Sequence, residues 1–331
     1  METRKRHRLI TKGDFDGLVC AVLLKEMDII DEVVFAHPRD IESGKIEVTG
    51  RDITAGLPYN EKVYLAFDYY PGAAASGGGK NLIIDSGKPS TSRVIYDYFG
   101  RKKFPRIQED MLNAVDKGFS GDITIEEILY PTGWILFNYL VDQRTGLERF
   151  RKFSLTHSDL LIKLIYYCRR HTIWEIFNIP AIEERHRLYF SSIEQYKTQM
   201  LRCSSVHYNL VVTDMRNEKI IYPGNRFMVY ALFPECNVSM NVSLDVKNGR
   251  TVFVAGKSIL DRSFSADIGR VMKKYGGGGH SKAGTCQAGN DDADTVMRKL
   301  ISEFKYPLFK NLFLGYFNYY YPLAPEKSIT N

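Results

Sequence analysis

The sequence predicts an α/β protein of two domains, the first built on a largely parallel sheet flanked by helices. The chain of 331 residues is about twice as long as an ordinary domain. Short β-branched strands alternate with helices in its first third, and a second series of strands begins near Val206. We therefore expect a first α/β domain at residues 1–125, outer helices and a helical connector at 126–204, a smaller α/β domain at 205–305 and an aromatic-rich tail at 306–331.

The first domain shows four strand-like segments and two helices. The predicted elements, in order, are the strand Arg8–Thr11, the helix Leu18–Met27, the strands Glu32–Ala36, Val63–Phe67 and Leu82–Ile84, and the helix Thr91–Phe99. Aspartates follow these strand ends, at Asp14, Asp16, Asp40, Asp68 and Asp85. Because ligands of parallel sheets bind at the carboxyl ends of the strands, we expect these side chains to share a site.

The second domain shows a similar alternation. The predicted strands are Leu210–Thr213, Phe227–Leu232, Val238–Val242 and Thr251–Gly256, and the predicted helices are Asp267–Lys274 and Asp292–Phe304. A loop of four glycines followed by His280 separates the two helices.

Composition excludes several classes of protein. The formal net charge of +6 fits an anionic ligand or a solvated basic surface. No C-x-x-C pair occurs, which argues against a zinc knuckle and a disulfide framework, so we expect mostly buried thiols in a reducing compartment. The cysteines are Cys20, Cys168, Cys203, Cys236 and Cys286. The sequence shows neither a signal peptide nor an apolar run that could span a membrane, which predicts a soluble cytoplasmic protein.

Two carboxylates lie two residues apart in the segment Thr11–Gly17. On an extended backbone Asp14 and Asp16 face the same side, and hard cations such as Mg²⁺ and Mn²⁺ prefer oxygen ligands. Taken alone, however, D-x-D-G is also the pattern of a turn or a helix cap. Similarly, we expect Ser90 to be a helix N-cap, and residues 73–80, rich in glycine and ending in lysine, to be a surface linker.

The glycine run at residues 276–279 also has two interpretations. Glycines cost backbone entropy, so a run of them favours a sharp bend or a close approach to a ligand, with exposed N–H groups that bind an anion. The alternative is a helix C-cap followed by a flexible turn. Arg226 follows a turn of the same domain and could be a surface ion-pair partner, and Lys257 and Ser258 follow the strand that ends at Gly256.

The motifs D-F-D-G, H-P-R-D, F-D-Y-Y and G-G-G-G-H-S-K-A-G resemble, in order and spacing, the DHH phosphoesterase family with its associated C-terminal domain. The resemblance covers roughly residues 8–287 and is strongest to the exopolyphosphatase-like and oligoribonuclease-like branch. It implies one or two Mn²⁺ or Mg²⁺ ions held by Asp14, Asp16, Asp40, Asp68 and Asp116, with Asp14, Asp16 and Asp68 at the catalytic centre. It also implies substrate binding by Gly277, Gly278, Gly279, His280, Arg226, Lys257, Ser258 and Lys12.

The sequence departs from the family pattern at the metal ligands. Lys12 replaces the histidine of the first motif, Tyr69 and Tyr70 replace the two histidines of the DHH motif, and Asp116 is offset from its expected place. An ammonium group repels a cation, and a phenol with a pKa of roughly 10 must lose its proton to bind as well as imidazole does. These departures weaken the second metal site most, and Lys12 would instead contact a substrate phosphate.

Two functions of different classes follow. The first is a metal-dependent phosphoesterase that cleaves a short oligonucleotide, a bisphosphate nucleotide or polyphosphate in the cleft between the domains. The alternative is a family member that binds nucleotides or nucleic-acid ends without hydrolysis. In either case the expected partner is a small phosphorylated substrate or a short single-stranded nucleic acid, with no membrane, and a homodimer is left open.

Overall fold

The computed structural model describes residues 6–72 and 79–305. The expectations for the tail at 306–331 and for most of the glycine-rich linker therefore lie outside the described residues. Each half of the chain is built around one sheet, which confirms the predicted fold class. The domain boundaries themselves stay a prediction.

The first sheet has five parallel strands in the order β2-β1-β3-β4-β5. They are β1 His7–Lys12, β2 Ile30–Ala36, β3 Asp52–Ala55, β4 Leu65–Asp68 and β5 Leu82–Ile84. Leu9 of β1 lies opposite both Val33 of β2 and Ile53 of β3. β2 and β3 lie on opposite sides of β1, so the strand order reverses there, and the carboxyl ends of these strands form the switch point at which such sheets bind ligands.

Helices and loops cover both faces of this sheet. The helices of this half are α1 Phe15–Glu26, α2 Pro38–Glu42, α3 Thr91–Phe99 and α4 Glu109–Ser120. Helix α1 is buried without interruption from Phe15 to Leu24, as its apolar sequence indicates, and packs with α3 and α4 on one face. On the other face, Ile10 and Ala66 pack against residues of the loops around Val48 and Leu57, next to α2.

A run of helices connects the two halves. They are α5 Ile125–Leu129, α6 Gly133–Val141, α7 Leu147–Phe150, α8 His157–Cys168, α9 Ile173–Phe177 and α10 Pro180–Cys203. Helix α10 is 24 residues long and starts with a proline, whose fixed φ suits the first turn. The second sheet begins at Ser204, directly after the last residue of α10.

The second sheet has six strands in the order β10-β11-β9-β8-β7-β6, antiparallel except for the pair β7–β8. The elements of this half are β6 Ser204–His207, β7 Leu210–Asp214, α11 Met228–Leu232, β8 Val238–Asp245, β9 Arg250–Lys257, α12 Ile268–Lys273, β10 Gly278–His280, β11 Ala283–Gly289 and α13 Ala293–Phe304. Leu210, Phe253 and Met272 form one core between the sheet and helices α12 and α13. Val211 and Met215 instead belong to the large core around α1, α6 and α10.

One predicted strand is wrong, and other strands escaped prediction. The segment Phe227–Leu232 instead contains the short helix α11, Met228–Leu232, and before this helix the side chain of buried Asn225 accepts the Phe227 N–H at 3.0 Å. A short apolar run of this kind does not distinguish strand from helix by periodicity. Strand β3 was missed, and the predicted glycine loop contains the short edge strand β10, which pairs with β11.

Two further expectations concern cysteines and membranes. All five cysteines are free thiols, and only Cys203 is not fully buried. Among the helices of the described residues, none combines the length and the apolar character needed to cross a bilayer.

Candidate active site

The turn between β1 and α1 brings the first two carboxylates to the switch point. Asp14 is the N-cap of α1, and its Oδ1 accepts the Gly17 N–H at 2.9 Å. A β-carbon on Gly17 would lie 2.0 Å from the carbonyl oxygen of Lys12, so only glycine permits this tight turn. The D-x-D-G segment therefore forms a helix cap, as one interpretation predicted. This cap lies at the edge of the sheet where a ligand would bind, as the other interpretation requires.

Asp16 is buried against the start of α3. Its two carboxylate oxygens accept the N–H groups of Thr91 at 3.0 Å and Ser92 at 2.8 Å. Burial, and then the charge of Asp14, raises the pKa of Asp16 to about 6. Asp16 therefore joins α1 to α3 and remains an acid that holds its proton more tightly than an exposed aspartate. Ser90 is the N-cap of α3, as the sequence predicted.

Asp68 ends β4, and its charge acts on Tyr69 together with those of Asp14 and Asp16. Its Oδ1 accepts the N–H groups of Tyr69 at 2.8 Å and Tyr70 at 2.9 Å. Burial raises the pKa of Asp68, although these hydrogen bonds and the charge of Lys12 oppose the shift. Burial and the charges of Asp16, Asp68 and Asp14 also raise the pKa of the Tyr69 phenol, which favours its neutral form.

Lys12 places a half-buried ammonium group near the same point. Within the described residues, no carboxylate lies within ion-pair distance of its Nζ. The Nζ is 3.9 Å from where a β-carbon on Gly56, at the end of β3, would lie. Burial has the largest effect on the pKa of Asp68, which it raises, and on that of His280, which it lowers. The charge of Lys12 acts to lower both pKa values, although the two residues belong to different halves of the chain. Lys12 is therefore a cation between the two halves, without a direct partner in this part of the structure.

The structure brings Asp14, Asp16 and Asp68 together but engages the other predicted carboxylates elsewhere. Asp40 lies on α2, where it accepts the His37 N–H at 3.2 Å and pairs with Lys45 at 3.0 Å. Asp116 on α4 accepts the Ser90 hydroxyl at 2.6 Å and pairs with Arg93. Asp85 accepts the N–H of Gly87 at 3.0 Å.

These residues do not form a divalent-cation site as they stand. Over residues 6–72 and 79–305, no group of three or more His, Cys, Asp or Glu side chains is arranged to hold a metal ion. Asp14, Asp16 and Asp68 already accept backbone N–H groups, and the charge of Lys12 acts among them. We therefore derive no chemical step from a metal at this site.

Arg144 is a second cation at the site, and no sequence motif marks it. It lies on a 3₁₀ turn at Gln143–Thr145, forms a two-pronged pair with Asp142 at 2.7 and 2.8 Å, and keeps 54% of its side chain exposed. Burial opposes its charge, but the charges of Asp142 and Asp14 together raise the pKa of Arg144. Only the fold brings this turn to Asp14.

The four glycines at 276–279, of which the last two belong to β10, have different structural roles. Gly276 and Gly279 have φ values of +72° and +146°, which side chains rarely adopt. A β-carbon on Gly277 would lie 2.0 Å from the Thr285 carbonyl oxygen. At Gly278, by contrast, a β-carbon would meet nothing within 4 Å. The fold therefore requires three of these glycines, whereas Gly278 leaves an open backbone surface.

His280 closes the same strand as a neutral hydrogen-bond donor. Its Nδ1 accepts the Lys282 N–H at 3.2 Å, so the proton of the neutral ring is on Nε2. Partial burial, together with the charges of Lys282 and Lys12, lowers the pKa of His280. Its Nε2–H can therefore donate to an anion that also contacts Lys12.

The remaining predicted substrate contacts differ in what they do. Ser258 is buried, and its Oγ accepts the N–H groups of Leu260 and Asp261, at 3.2 and 3.1 Å, which is a structural role. The Lys257 ammonium lies 5.6 Å from the ring centre of Phe264. Arg226 is exposed, and within the described residues it pairs with no carboxylate, contrary to the ion-pair alternative.

The loop that carries Arg226 packs on the turn that carries Arg144, because the Gly224 N–H donates to the Thr145 carbonyl at 3.0 Å. On the opposite side, the Arg262 guanidinium donates to the Gly121 carbonyl at 2.9 Å. These two hydrogen bonds join the halves of the chain, and the charge of Lys12 in the first half acts on His280 of the glycine strand in the second.

Comparison with known proteins places this arrangement in a family. The chain is 44% identical to a pGpG-specific phosphodiesterase, PggH from Vibrio cholerae, over 90% of this chain and 99% of that one, with a TM-score of 0.80. CDC45 from Entamoeba histolytica is 10% identical over 91% of this chain and 96% of that one, with a TM-score of 0.51, and shares the fold alone. RecJ from Thermus thermophilus, solved with Mn²⁺, is 13% identical over 92% and 53% of the two chains, and its TM-score of 0.48 supports no conclusion. No protein-family model and no curated protein matches the chain.

The fold and the site define a two-domain α/β protein with carboxylates at the carboxyl edge of a parallel sheet in one half and a glycine strand in the other. On the identity with the Vibrio cholerae phosphodiesterase over nearly its whole length, the chain belongs to the DHH phosphoesterase family. This finding confirms the resemblance drawn from the sequence motifs.

Proposed function

We propose that this protein hydrolyses a short 5′-phosphorylated dinucleotide such as pGpG to two mononucleotides. The observation that carries the proposal is the 44% identity to a pGpG-specific phosphodiesterase over 99% of that chain. In the reaction a water oxygen bonds to the bridging phosphorus, the bond from phosphorus to the 3′ oxygen breaks, and that oxygen receives a proton. The sequence left three substrates open, namely a short oligonucleotide, a bisphosphate nucleotide and polyphosphate. The proposal selects the short oligonucleotide.

The positive charges of Lys12 and Arg144 support a substrate with more than one phosphate. Lys12 lies between the halves without an ion pair in the described structure, and Arg144 keeps half of its side chain exposed near Asp14. A dinucleotide with a 5′ phosphate carries two phosphate groups. We assign one to Lys12 and His280 and the other to Arg144 and Arg226, with the open backbone of Gly278 beside the first.

The proposal includes Mn²⁺ or Mg²⁺ as a cofactor because the chain belongs to a phosphoesterase family. The carboxylates in their present arrangement do not supply a ready site, so the metal requirement is left to measurement. That same arrangement favours a second candidate, namely a protein that binds pGpG without hydrolysing it. Three carboxylates engaged with backbone N–H groups, next to Lys12, are what a binding protein without a metal centre would show.

The experiment measures pGpG hydrolysis with Mn²⁺, with Mg²⁺ and with EDTA, alongside pGpG affinity in EDTA. Asp68→Asn is the decisive variant, because an amide oxygen still accepts the Tyr69 and Tyr70 N–H groups while the carboxylate charge is lost. Asp14→Asn is its partner, since asparagine caps a helix as well as aspartate does. We expect metal-dependent turnover by wild type and a loss of about 100-fold or more in both variants, the scale of losing a catalytic group.

Lys12→Met separates binding from chemistry in the same assays. If Lys12 holds a substrate phosphate, this variant weakens pGpG binding in EDTA by about 10-fold, the equivalent of about 1.4 kcal/mol. Wild-type binding without turnover under any metal condition would favour the non-hydrolytic alternative. Turnover that Asp68→Asn leaves intact would contradict the proposed site.

A further inference from the structure

A buried histidine forms a hydrogen bond with the β1–α1 turn. His157, the first residue of α8, is 8% exposed, and its Nε2 lies 2.8 Å from the carbonyl oxygen of Gly13. A carbonyl oxygen can only accept, so Nε2 carries the proton and donates it. Gly13 lies between Lys12 and Asp14, and no sequence pattern links it to a residue 144 positions away.

Charged groups lie beside the Nδ1 of His157, although no hydrogen bond joins them to it. Its Nδ1 lies 3.8 Å from Glu148 Oε1, and the same oxygen accepts a hydrogen bond from Arg185 Nη2 at 2.9 Å. Arg185 is 1% exposed and also donates to the carbonyls of Ala181, at 2.9 Å, and Leu155, at 3.0 Å. The backbone of α10 thus fixes Arg185, Arg185 fixes Glu148, and Glu148 lies beside the imidazole.

We infer that His157 is a positioning residue for the candidate active site: by holding the Gly13 carbonyl it sets the directions of Lys12 and Asp14. The peptide that bears this carbonyl links Gly13 to Asp14, so a rotation about it would move the N-cap of α1 and, through the turn, the ammonium of Lys12. An error of about 1 Å in such a site costs on the order of 100-fold in rate. The kinetic consequence rests on the proposed function, whereas the effect on the turn does not.

Two variants of the same position test this role. His157→Gln keeps a side-chain N–H that can reach the Gly13 carbonyl, and His157→Leu keeps bulk but has no donor. In hydrogen exchange we expect the segment 11–17 to exchange faster in His157→Leu than in wild type or His157→Gln. In pGpG hydrolysis we expect kcat to fall about 10- to 100-fold in His157→Leu with a smaller change in KM. His157→Gln should keep at least about a third of the wild-type kcat, because the hydrogen bond is restored.

The outcomes separate this inference from the proposed function. Absence of pGpG hydrolysis by wild type would overturn the function, while faster exchange confined to 11–17 in His157→Leu would still support the positioning role. Unchanged exchange and kcat in His157→Leu, or an equal loss in His157→Gln, would overturn the role. Faster exchange throughout the chain would show a general stabilising residue and would also overturn it.

One measurement needs no variant, which matters if His157→Leu fails to fold. Long-range ¹H–¹⁵N spectra of the wild-type protein report which ring nitrogen carries the proton. We expect neutral His157 to carry it on Nε2, as donation to the Gly13 carbonyl requires. A proton on Nδ1 alone would contradict the inference.

Discussion

At the scale of single residues, the site concentrates negative charge in a partly dry place. Asp14, Asp16 and Asp68 lie close enough for their charges to raise the pKa of Tyr69, and burial raises the pKa of both Asp16 and Asp68. A buried carboxylate whose pKa is raised favours its protonated form, so its ionised form costs folding free energy. Asp16 and Asp68 therefore take up a proton more readily than exposed aspartates do.

This charge predicts a pH dependence of stability that depends on Asp16. The pKa of Asp16 is raised from 3.8 to about 6 in the folded protein. Protonation of Asp16 therefore adds to the free energy of unfolding. This gain is fully present below a pH of 3.8 and is lost as the pH rises through about 6. At about 1.36 kcal/mol per unit, the change amounts to about 3 kcal/mol at most. We expect wild type to gain up to this much unfolding free energy relative to Asp16→Asn between pH 7 and pH 4. Urea denaturation in EDTA measures it, and a difference that stays constant with pH would contradict the assignment.

How far single residues could be predicted depended on sequence distance. Asp14, Asp16 and Asp68 were predictable because each follows a strand of one parallel sheet, and strand ends meet at one edge. Arg144 and His157 were not, since their positions depend on helices that return to the β1–α1 turn from more than a hundred residues away. Asp40 also follows a strand, but the capping box it forms with His37 holds it on α2.

At the scale of elements, the glycines before and within β10 differ in what they do. The fold requires Gly276, Gly277 and Gly279, whereas Gly278 is free to serve a ligand. Gly278→Ala places a methyl group in open space, so we expect no change in thermal stability beyond about 1–2 °C but a pGpG affinity about 10-fold weaker. The physical reason is that the methyl would keep a phosphate from the backbone N–H groups. Gly289→Ala is the matched control, because its β-carbon also meets nothing within 4 Å and its φ is −58°. Thermal melts and calorimetry of both variants check the expectation, and equal affinities would contradict it.

Element prediction succeeded where one local signal dominated. The limits Leu82–Ile84 and Thr91–Phe99 were predicted as observed, since a β-branched run and a serine cap mark them. It failed at Phe227–Leu232, where a short apolar run does not distinguish strand from helix. It also missed β3, whose central place in the sheet depends on Arg8, which holds Asp52 at 2.7 Å from the neighbouring strand.

At the scale of the whole molecule, the large core crosses from one half to the other. Val211 and Met215 of the second half pack in the same cluster as α1 and α6. We therefore expect a single cooperative unfolding transition instead of the two that separate domains often give. Fluorescence of Trp134 and Trp174, which both lie in the first two-thirds of the chain, and far-UV circular dichroism should share one urea midpoint. Midpoints separated by more than about 0.5 M would show independent halves.

Helix α10 has a consequence for how this chain can change in evolution. It passes into β6 at Ser204 without an intervening loop, so the orientation of the glycine strand relative to the aspartates is tied to the phase of the helix. One inserted residue would turn everything beyond it by about 100° and shift it by about 1.5 Å. Length variation within α10 should therefore occur in steps of whole turns or be absent, while the loops around it remain free to lengthen.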